Sequence, residues 1–196
     1  VILADKTEVS AEMAFIAIGR QPDLNPLQLE KTDIEYGAIG ITVDQTCRTS
    51  VPSIYAAGDV TGAPMTANRA MAMGRIAALN AVHDSQKPFQ PHLSIEAVYT
   101  EPEVVQVGDM LDSSDAEMHR ADFSSLLKAK ILQKDGFVKA KIRKSDGVIV
   151  GAAGIGLHVS DIVAPLAVAI QAGKTLDQLE DIAFANPTFS EILGKL

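Results

Sequence analysis

The sequence has a single cysteine, Cys47, so no disulfide can form within the chain. Proteins without disulfides are typical of a reducing compartment, which favours the cytoplasm. Basic residues are fewer than acidic ones, 17 against 25, and the net charge of −8 argues against nucleic acid or an anionic membrane as the main partner. The longest apolar stretch, 148–157, is too short to cross a bilayer, and no basic and apolar leader opens the chain.

The sequence also offers no obvious metal site, because its histidines share no ligand spacing with one another or with Cys47. Cys47 itself is expected to be an inert buried or edge residue. A length of 196 residues suits one large or two small domains with a sizeable core. The chain opens on Val1, in the middle of an apolar pattern, which suggests a fragment of a longer protein.

The first part of the chain predicts short strands, loops and one helix. Three apolar runs predict strands, the first and the last of them buried: 13–18, 39–43 and 53–57. Residues 66–82 have a helical pattern with apolar residues on all sides, which predicts a mostly buried helix. A polar stretch with two prolines, 83–92, predicts a boundary between two domains, 1–90 and 91–196.

The second part predicts an antiparallel sheet followed by helices. Five short stretches predict strands: 95–99, 104–107, 128–134, 137–143 and 148–155. Asp135-Gly136 and Asp146-Gly147 are typical of tight hairpin turns, whose central residues have positive φ. Three helices are predicted next, over 160–172, over 176–182 and from Thr188. Strands followed by helices indicate an α+β unit with its helices on one face of the sheet.

The stretch IYAAGDVTGAPM, residues 54–65, combines a glycine, a single carboxylate and the start of a helix. Gly58 lets the backbone approach a ligand closely, and Asp59 can accept hydrogen bonds from a ribose-like chain of hydroxyls. The predicted helix presents free N–H groups and the positive end of its dipole at 65–68. From the residues alone, an aspartate at the end of a strand is more often a turn former than a ligand-binding residue.

The longer segment TSVPSIYAAGDVTGAPMTANRA, residues 49–70, resembles the second flavin-contacting segment of the pyridine nucleotide–disulfide oxidoreductases. The family pattern there is T-x-V/I-P-x-I-Y-A-x-G-D, and the next residues are usually M-L-A-H. The resemblance implies that Asp59 binds the ribityl chain of FAD. It also implies that the start of the following helix lines the flavin through Met65, Thr66, Ala67 and Asn68. Thr66 and Asn68 depart from the family pattern, so side-chain contacts there are less secure than backbone contacts.

Other segments resemble the same family in the same order. AFIAIGRQPD, 14–23, is similar to the end of the NAD domain, where Gly19 would lie beside NAD(P). VYTEPEVVQVG, 98–108, resembles the start of the C-terminal interface domain, and 147–179 resembles its strand and the two helices of the dimer contact. ANPTFSEIL, 185–193, resembles the closing H-P-T-x-S-E. The resemblance implies a remnant of an FAD-binding Rossmann-like domain, then an antiparallel-sheet-plus-helices dimerisation domain that forms a homodimer.

The closing motif differs from the family at one position that carries chemistry. In disulfide reductases of the family it supplies a histidine that acts as the thiol base, held by a glutamate five residues later. Here Glu191 is present, but Asn186 stands at the histidine position, and an amide takes up no proton near pH 7. Asn186 could still orient a substrate. Alternatively, Asn186-Pro187 is only a turn before a helix whose capping box is Thr188 and Glu191.

The resemblance thus predicts the C-terminal part of an FAD- and NAD(P)-dependent oxidoreductase, most similar to dihydrolipoamide dehydrogenase, with a disulfide or other small-molecule substrate. Asn186 leaves open a relative without thiol-base chemistry, such as a transhydrogenase, a quinone reductase or a mercuric reductase. A non-catalytic dimerisation module also stays open. The family's phosphate-binding glycine loop and redox-active cysteine pair are not among these residues, so we expect the chain alone to be inactive and to bind FAD weakly.

Overall fold

The computed structural model describes residues 1–196. Seven strands are present: β1 (Tyr36–Gly37), β2 (Gly40–Ile41), β3 (Glu96–Val98), β4 (Glu103–Gly108), β5 (Ala116–Asp122), β6 (Gly136–Arg143) and β7 (Ile149–Gly156). The α-helices are α1 (Ala67–His83), α2 (Leu127–Leu132), α3 (Val159–Gln171) and α4 (Leu176–Glu180). None of the helices has both the length and the apolar character that a membrane span needs.

Strands β3 to β7 form one antiparallel sheet in the order β3-β4-β7-β6-β5. Because side chains alternate between the faces of a strand, β4 buries Val105 and Val107 on the same face as Val138 of β6. Helix α3 covers this face with residues spaced by the helical repeat: Val159, Ile162, Val163, Leu166 and Ala169. The predicted α+β class, with helices on one face of an antiparallel sheet, is confirmed.

The central strand β7 carries glycines where its neighbours come closest. A Cβ atom on Gly154 would lie 2.5 Å from Cγ2 of Val159 and 3.0 Å from the carbonyl oxygen of Phe137. A Cβ atom on Gly156 would lie 2.5 Å from Cε2 of Phe123, a side chain that is fully buried. The absence of side chains at these two positions of β7 is therefore what lets α3 and Phe123 pack directly against the sheet.

Helix α3 begins without a cap from its own sequence, because its N-cap residue, His158, makes no side-chain hydrogen bond there. The carboxylate of Glu103, at the start of β4, caps the helix instead. It accepts hydrogen bonds from the backbone N–H of Ser160 at 3.2 Å and from the Ser160 hydroxyl at 2.7 Å. Satisfying a free N–H of the first turn stabilises the helix. The second glutamate of the TEPE segment thus anchors α3 to the sheet.

The first 66 residues contain little regular structure, and two strand predictions there are wrong. Residues 13–18 form no strand, and Phe15 and Ile18 are 91% and 93% exposed. An apolar run becomes a strand only beside a hydrogen-bonding partner, and no other part of this chain pairs with it. Residues 53–57 begin in a turn at Ser53 and make a single bridge, between Arg48 and Tyr55, and only Ala56 among them is buried. The short strand predicted at 39–43 is present as β2.

Helix α1 is confirmed within a residue at each end, but its expected burial is wrong. Only Met73, Ala77 and Asn80 are buried, whereas Met71 and Val82 are 66% and 75% exposed. The buried residues form one stripe, which packs on the loop that contains Cys47. Cys47 is buried as expected, and burial raises the pKa of its thiol.

In the second part, four of the five predicted strands are confirmed as β3, β4, β6 and β7. Residues 128–134 instead belong mainly to α2, so Asp135-Gly136 joins a helix to β6 and is not a hairpin turn. Strand β5 has no counterpart among the predictions, because Ala121 is its only buried residue. Asp146-Gly147 does join β6 to β7, with Gly147 but not Asp146 at positive φ.

The helical predictions after β7 are confirmed as α3 and α4, whereas the last one is a 3-10 turn, Ser190–Lys195. The chain folds this segment back onto the core through Ile192 and Leu193, which are fully buried. Phe189, just before them, packs on Phe123 with 5.0 Å between the ring centroids. These contacts fix the place of the segment that contains Asn186 and Glu191.

The close contact at β7 predicts the effect of Gly154→Ala. The added methyl group collides with Val159 and with the backbone at Phe137, so we expect the free energy of unfolding to fall by about 1–3 kcal/mol in chemical denaturation. The matched control is Gly74→Ala, in α1, where no atom lies within 4 Å of the new Cβ. It should raise stability by about 0.5–1 kcal/mol, because alanine favours a helix over glycine. Equal effects of the two changes would contradict the proposed packing.

Candidate functional site

Asp59 lies in a 3-10 turn, Gly58–Thr61, that follows the extended residue Ala57. Its carboxylate accepts no hydrogen bond from the chain, unlike that of an aspartate that closes a turn onto its own backbone. The nearest charged group is the guanidinium of Arg20, with 3.6 Å between Nη2 and Oδ2. The Asp59 side chain is 42% exposed. Oδ1 therefore has no partner in the chain, and Oδ2 has only the long ion pair with the exposed Arg20, so the carboxylate can still accept hydrogen bonds from a polar ligand.

Gly58 places this carboxylate beside α1. Its φ of 78° is one that glycine adopts without strain, and a Cβ atom here would lie 3.0 Å from the Cβ of Ala70. Any larger residue would push the turn away from the helix. The glycine thus keeps Asp59 close to the first turn of α1.

The first turn of α1 leaves its donors free. Thr66, the N-cap residue, makes no side-chain hydrogen bond to the helix. The backbone N–H groups of Ala67, Asn68 and Arg69 have no acceptor within the chain. Met65 and Thr66 are half-buried, and Ala67 and Asn68 are exposed. Free N–H groups and the positive end of the helix dipole together favour an electron-rich ligand atom.

The side chain of Asn68 is already occupied. Its amide donates a hydrogen bond to the carbonyl oxygen of Ile95, 2.7 Å away, just before β3. This bond crosses from α1 to the unit that contains the five-stranded sheet. A contact of Asn68 with a ligand on the first turn would therefore come from its backbone N–H and not from its side chain.

Gly19, expected beside NAD(P), lies in the irregular segment before residue 25, with a φ of 108°. A Cβ atom added to this glycine would have no other atom within 4 Å, so the space beside it is open. The neighbouring Arg20 forms the ion pair with Asp59. The structure therefore brings the Gly19 segment next to the Asp59 turn. Arg20 and Arg69, which both contact this region, lie within the segments that resemble the family, but neither was predicted from the sequence to have a role.

Asn186 and Glu191 contact each other directly. The Asn186 amide nitrogen donates to Oε2 of Glu191 at 2.5 Å, and the backbone N–H of Thr188 donates to Oε1 at 2.8 Å. The Thr188 N–H, and then the Asn186 amide, lower the pKa of the Glu191 carboxyl below its ordinary value. Since a carboxylate only accepts hydrogen bonds, the Asn186 nitrogen must face Glu191 and its carbonyl oxygen must point away.

The capping box predicted for Thr188 and Glu191 is half formed. Glu191 accepts from the backbone of Thr188, but the Thr188 hydroxyl donates to the carbonyl oxygen of Ala185 at 2.6 Å instead of capping the next turn. Asn186 and Glu191 make no hydrogen bond or ion pair with the region around Asp59 and the start of α1. The chain therefore presents two separate groups of candidate residues.

Comparisons with known proteins match two regions of the chain. The family model for the pyridine nucleotide-disulphide oxidoreductases matches residues 1–74, and the model for the dimerisation domain of the same family matches residues 95–196. A dihydrolipoyl dehydrogenase of Geobacillus stearothermophilus is 36% identical over 94% of this chain and 40% of its own length. An NAD(P)H dehydrogenase (quinone) of Mycobacterium tuberculosis is 32% identical over 97% of this chain and 40% of its own length.

The fold has a solved counterpart. The crystal structure of LpdA from Mycobacterium tuberculosis superposes with a TM-score of 0.90 and 30% identity, over 98% of this chain and 43% of LpdA. The chain thus spans about 40% of the length of the curated relatives that it matches. Its two matched regions are a remnant of the nucleotide-binding part and the dimerisation domain. The chain therefore belongs to the pyridine nucleotide-disulphide oxidoreductase family, whose members are flavin- and NAD(P)-dependent oxidoreductases.

Proposed function

We propose that the chain is the C-terminal part of an FAD- and NAD(P)-dependent oxidoreductase similar to dihydrolipoyl dehydrogenase, acting in the cytoplasm. In this proposal, residues 1–90 supply one side of the flavin site, and residues 91–196 form the dimerisation domain. The observation that carries it is the partly exposed Asp59 carboxylate, which accepts no hydrogen bond from the chain and lies close to the free N–H groups at the start of α1. FAD, when bound, supplies the hydride and electron transfer between NAD(P)H and a second acceptor.

The residues present fit FAD on chemical grounds. The ribityl chain carries hydroxyl donors, which match the acceptor-only carboxylate of Asp59. The pyrimidine edge of a flavin carries electron-rich atoms, which match the N–H groups of Ala67 and Asn68. Gly58 allows the two sets of groups to lie close together. In the same proposal, Gly19 lies against NAD(P), where its lack of a side chain leaves room for the cofactor.

We also propose that the parent enzyme is a homodimer through α3. This helix buries one stripe on the sheet, yet Val168 on its opposite side is 66% exposed. A single exposed valine is normal on a protein surface, so Val168 marks where a partner could pack and is not by itself evidence for one. The match of residues 95–196 to a dimerisation domain supports a second copy of the chain as the partner. The two copies would meet through the same surface, as in a two-fold symmetric contact.

Sedimentation of the 196-residue chain tests the dimer. We expect the unsubstituted chain to be a dimer. Val168→Glu should raise the dissociation constant of this dimer by about 100-fold or more, since an unpaired charge in an interface costs about 3 kcal/mol. The matched control is Val82→Glu, on α1, where the residue is 75% exposed and outside the dimerisation unit. If the unsubstituted chain stays monomeric in concentrated samples, or if the two changes have equal effects, this interface would be contradicted.

Asp59→Ala tests the flavin site in the full-length enzyme. Losing a hydrogen bond to a charged group costs about 1.5–3 kcal/mol, so the dissociation constant of FAD should rise by about 10- to 100-fold. Asp33→Ala is the matched control, because Asp33 is exposed and its carboxylate has no partner. Flavin content is read from the visible absorbance after gel filtration. Full retention of FAD by Asp59→Ala would refute the assignment, and a colourless full-length parent would favour a non-catalytic dimerisation module.

A second candidate concerns the acceptor of the electrons. Asn186 is neutral, and both oxygens of Glu191 are occupied by hydrogen bonds that favour its ionised form. Neither group exchanges a proton near pH 7, so this pair cannot act as the base of a thiol. We therefore propose an acceptor that needs no thiol base, with a quinone as the leading choice. The similarity to an NAD(P)H dehydrogenase (quinone), at 32% identity, agrees with this choice, but a dihydrolipoyl dehydrogenase is 36% identical, so the choice rests on Asn186 and Glu191.

Asn186→His tests this second candidate in the full-length enzyme. If the parent reduces a disulfide poorly for want of a base, histidine should raise disulfide turnover by about 10²–10⁴-fold, with Glu191 in place to orient the imidazole. Reduction of the flavin by NAD(P)H should stay unchanged in stopped-flow measurements. Asn186→Gln, which restores no base, is the control. Flat disulfide turnover with a quinone as the better acceptor would mean that the parent is no disulfide reductase.

A further inference from the structure

Arg69 stands at an electrostatically unfavourable place. It lies in the first turn of α1, where the helix dipole already presents partial positive charge. A cation at this end opposes the dipole and destabilises the helix. The side chain is half-buried and has no carboxylate partner. Its position therefore needs another physical reason.

The guanidinium of Arg69 reaches back over the loop that joins Asp59 to α1. Its Nη1 lies 3.3 Å from the carbonyl oxygen of Gly62 and 3.4 Å from both the Pro64 carbonyl oxygen and the Thr61 hydroxyl oxygen. The same Thr61 hydroxyl donates to the carbonyl oxygen of Gly58 at 2.8 Å. Arg69 thus connects to the residue before Asp59 through a single hydroxyl group.

On its other side, Arg69 contacts the connector, residues 84–95, which joins α1 to β3 of the sheet. Its guanidinium lies 5.8 Å from the centroid of the Phe89 ring, within the range of a cation–π contact. The adjacent Asn68 bonds to Ile95 at the end of the same connector. The first turn of α1 is consequently held from two sides, by the Asp59 loop and by the connector.

We propose that Arg69 is a positioning residue for FAD: it holds the 58–64 loop so that the Asp59 carboxylate stays at a fixed place relative to the free N–H groups of α1. This inference rests on the proposed role of Asp59 in binding FAD. Without Arg69 the loop would sample other arrangements, and ligand binding would have to order it at an entropic cost. All three contacts come from one nitrogen, Nη1, so its two N–H groups are shared among three oxygens at 3.3–3.4 Å, and the positive charge strengthens the attraction to each of them.

The first test measures the loop without any ligand, in the 196-residue chain. The backbone N–H of Gly62 donates to the carbonyl oxygen of Asp59 at 3.0 Å, so its hydrogen exchange reports whether the loop opens. We expect Arg69→Met to speed exchange at Gly62 by about 10-fold, as for the loss of one or two weak hydrogen bonds. Arg75→Met is the matched control, because the Arg75 side chain on the same helix forms no ion pair and is exposed. It should leave Gly62 unchanged.

The second test measures FAD in the full-length enzyme. Arg69→Met should raise the dissociation constant of FAD by about 10-fold and shift the visible flavin bands, and Arg75→Met should do neither. Arg69→Lys keeps the charge but not the planar group, so it should recover only part of the affinity, and it also serves if Arg69→Met does not fold. Unchanged exchange at Gly62, or faster exchange with unchanged FAD affinity, would overturn the proposal. Retention of FAD by Asp59→Ala would instead refute the flavin site itself.

Discussion

The contact of Phe123 and α3 with the glycines of β7 is the constraint on which the rest of the dimerisation unit depends. With no side chains at Gly154 and Gly156, the sheet admits both the Phe123 ring and the start of α3. Phe123 then forms the surface on which Phe189 packs. Phe189 in turn sets the position of the turn that contains Asn186 and Glu191. The glycines of β7 thus help to determine where the segment with Asn186 and Glu191 lies.

This chain of contacts also explains which elements could be predicted from the sequence. Strand β4 and helix α3 bury one face each, so their apolar residues recur with the period of the element, and β7 is a continuous apolar run of the kind that a central strand shows. Strand β5 lies at the edge of the sheet and buries only Ala121, so it has almost no such signal. Residues 13–18 are the reverse case, a strong apolar pattern that forms no strand. Their apolar run is as strong as that of a core strand, but a pattern does not show whether a hydrogen-bonding partner is at hand.

The candidate site was predictable to a different degree. Asp59, the first turn of α1 and the Asn186 segment came from the family resemblance, and their residue types alone left turn formation open. The contacts that hold them, such as Asn68 with Ile95 and Arg20 with Asp59, join residues 27 or more positions apart and leave no periodic trace in the sequence. Arg69, by contrast, could have been noticed in the sequence. A cation in the first turn of a helix opposes the dipole, and this local conflict is a signal that a search for favourable patterns alone passes over.

The exchange of histidine for asparagine matters because of what surrounds it. Glu191 receives the Thr188 N–H and the Asn186 amide, and both bonds favour the ionised carboxylate and lower its pKa, so its protonation requires a lower pH than for an ordinary glutamate. An imidazole at position 186 would gain a proton beside this anion and could return it to a substrate. The amide instead presents a fixed carbonyl oxygen, which can accept a hydrogen bond but moves no proton. A substrate held there would have to exchange protons with water or with another group, which suits an acceptor whose reduced form is stable without a protein base and disfavours one that leaves as a thiol.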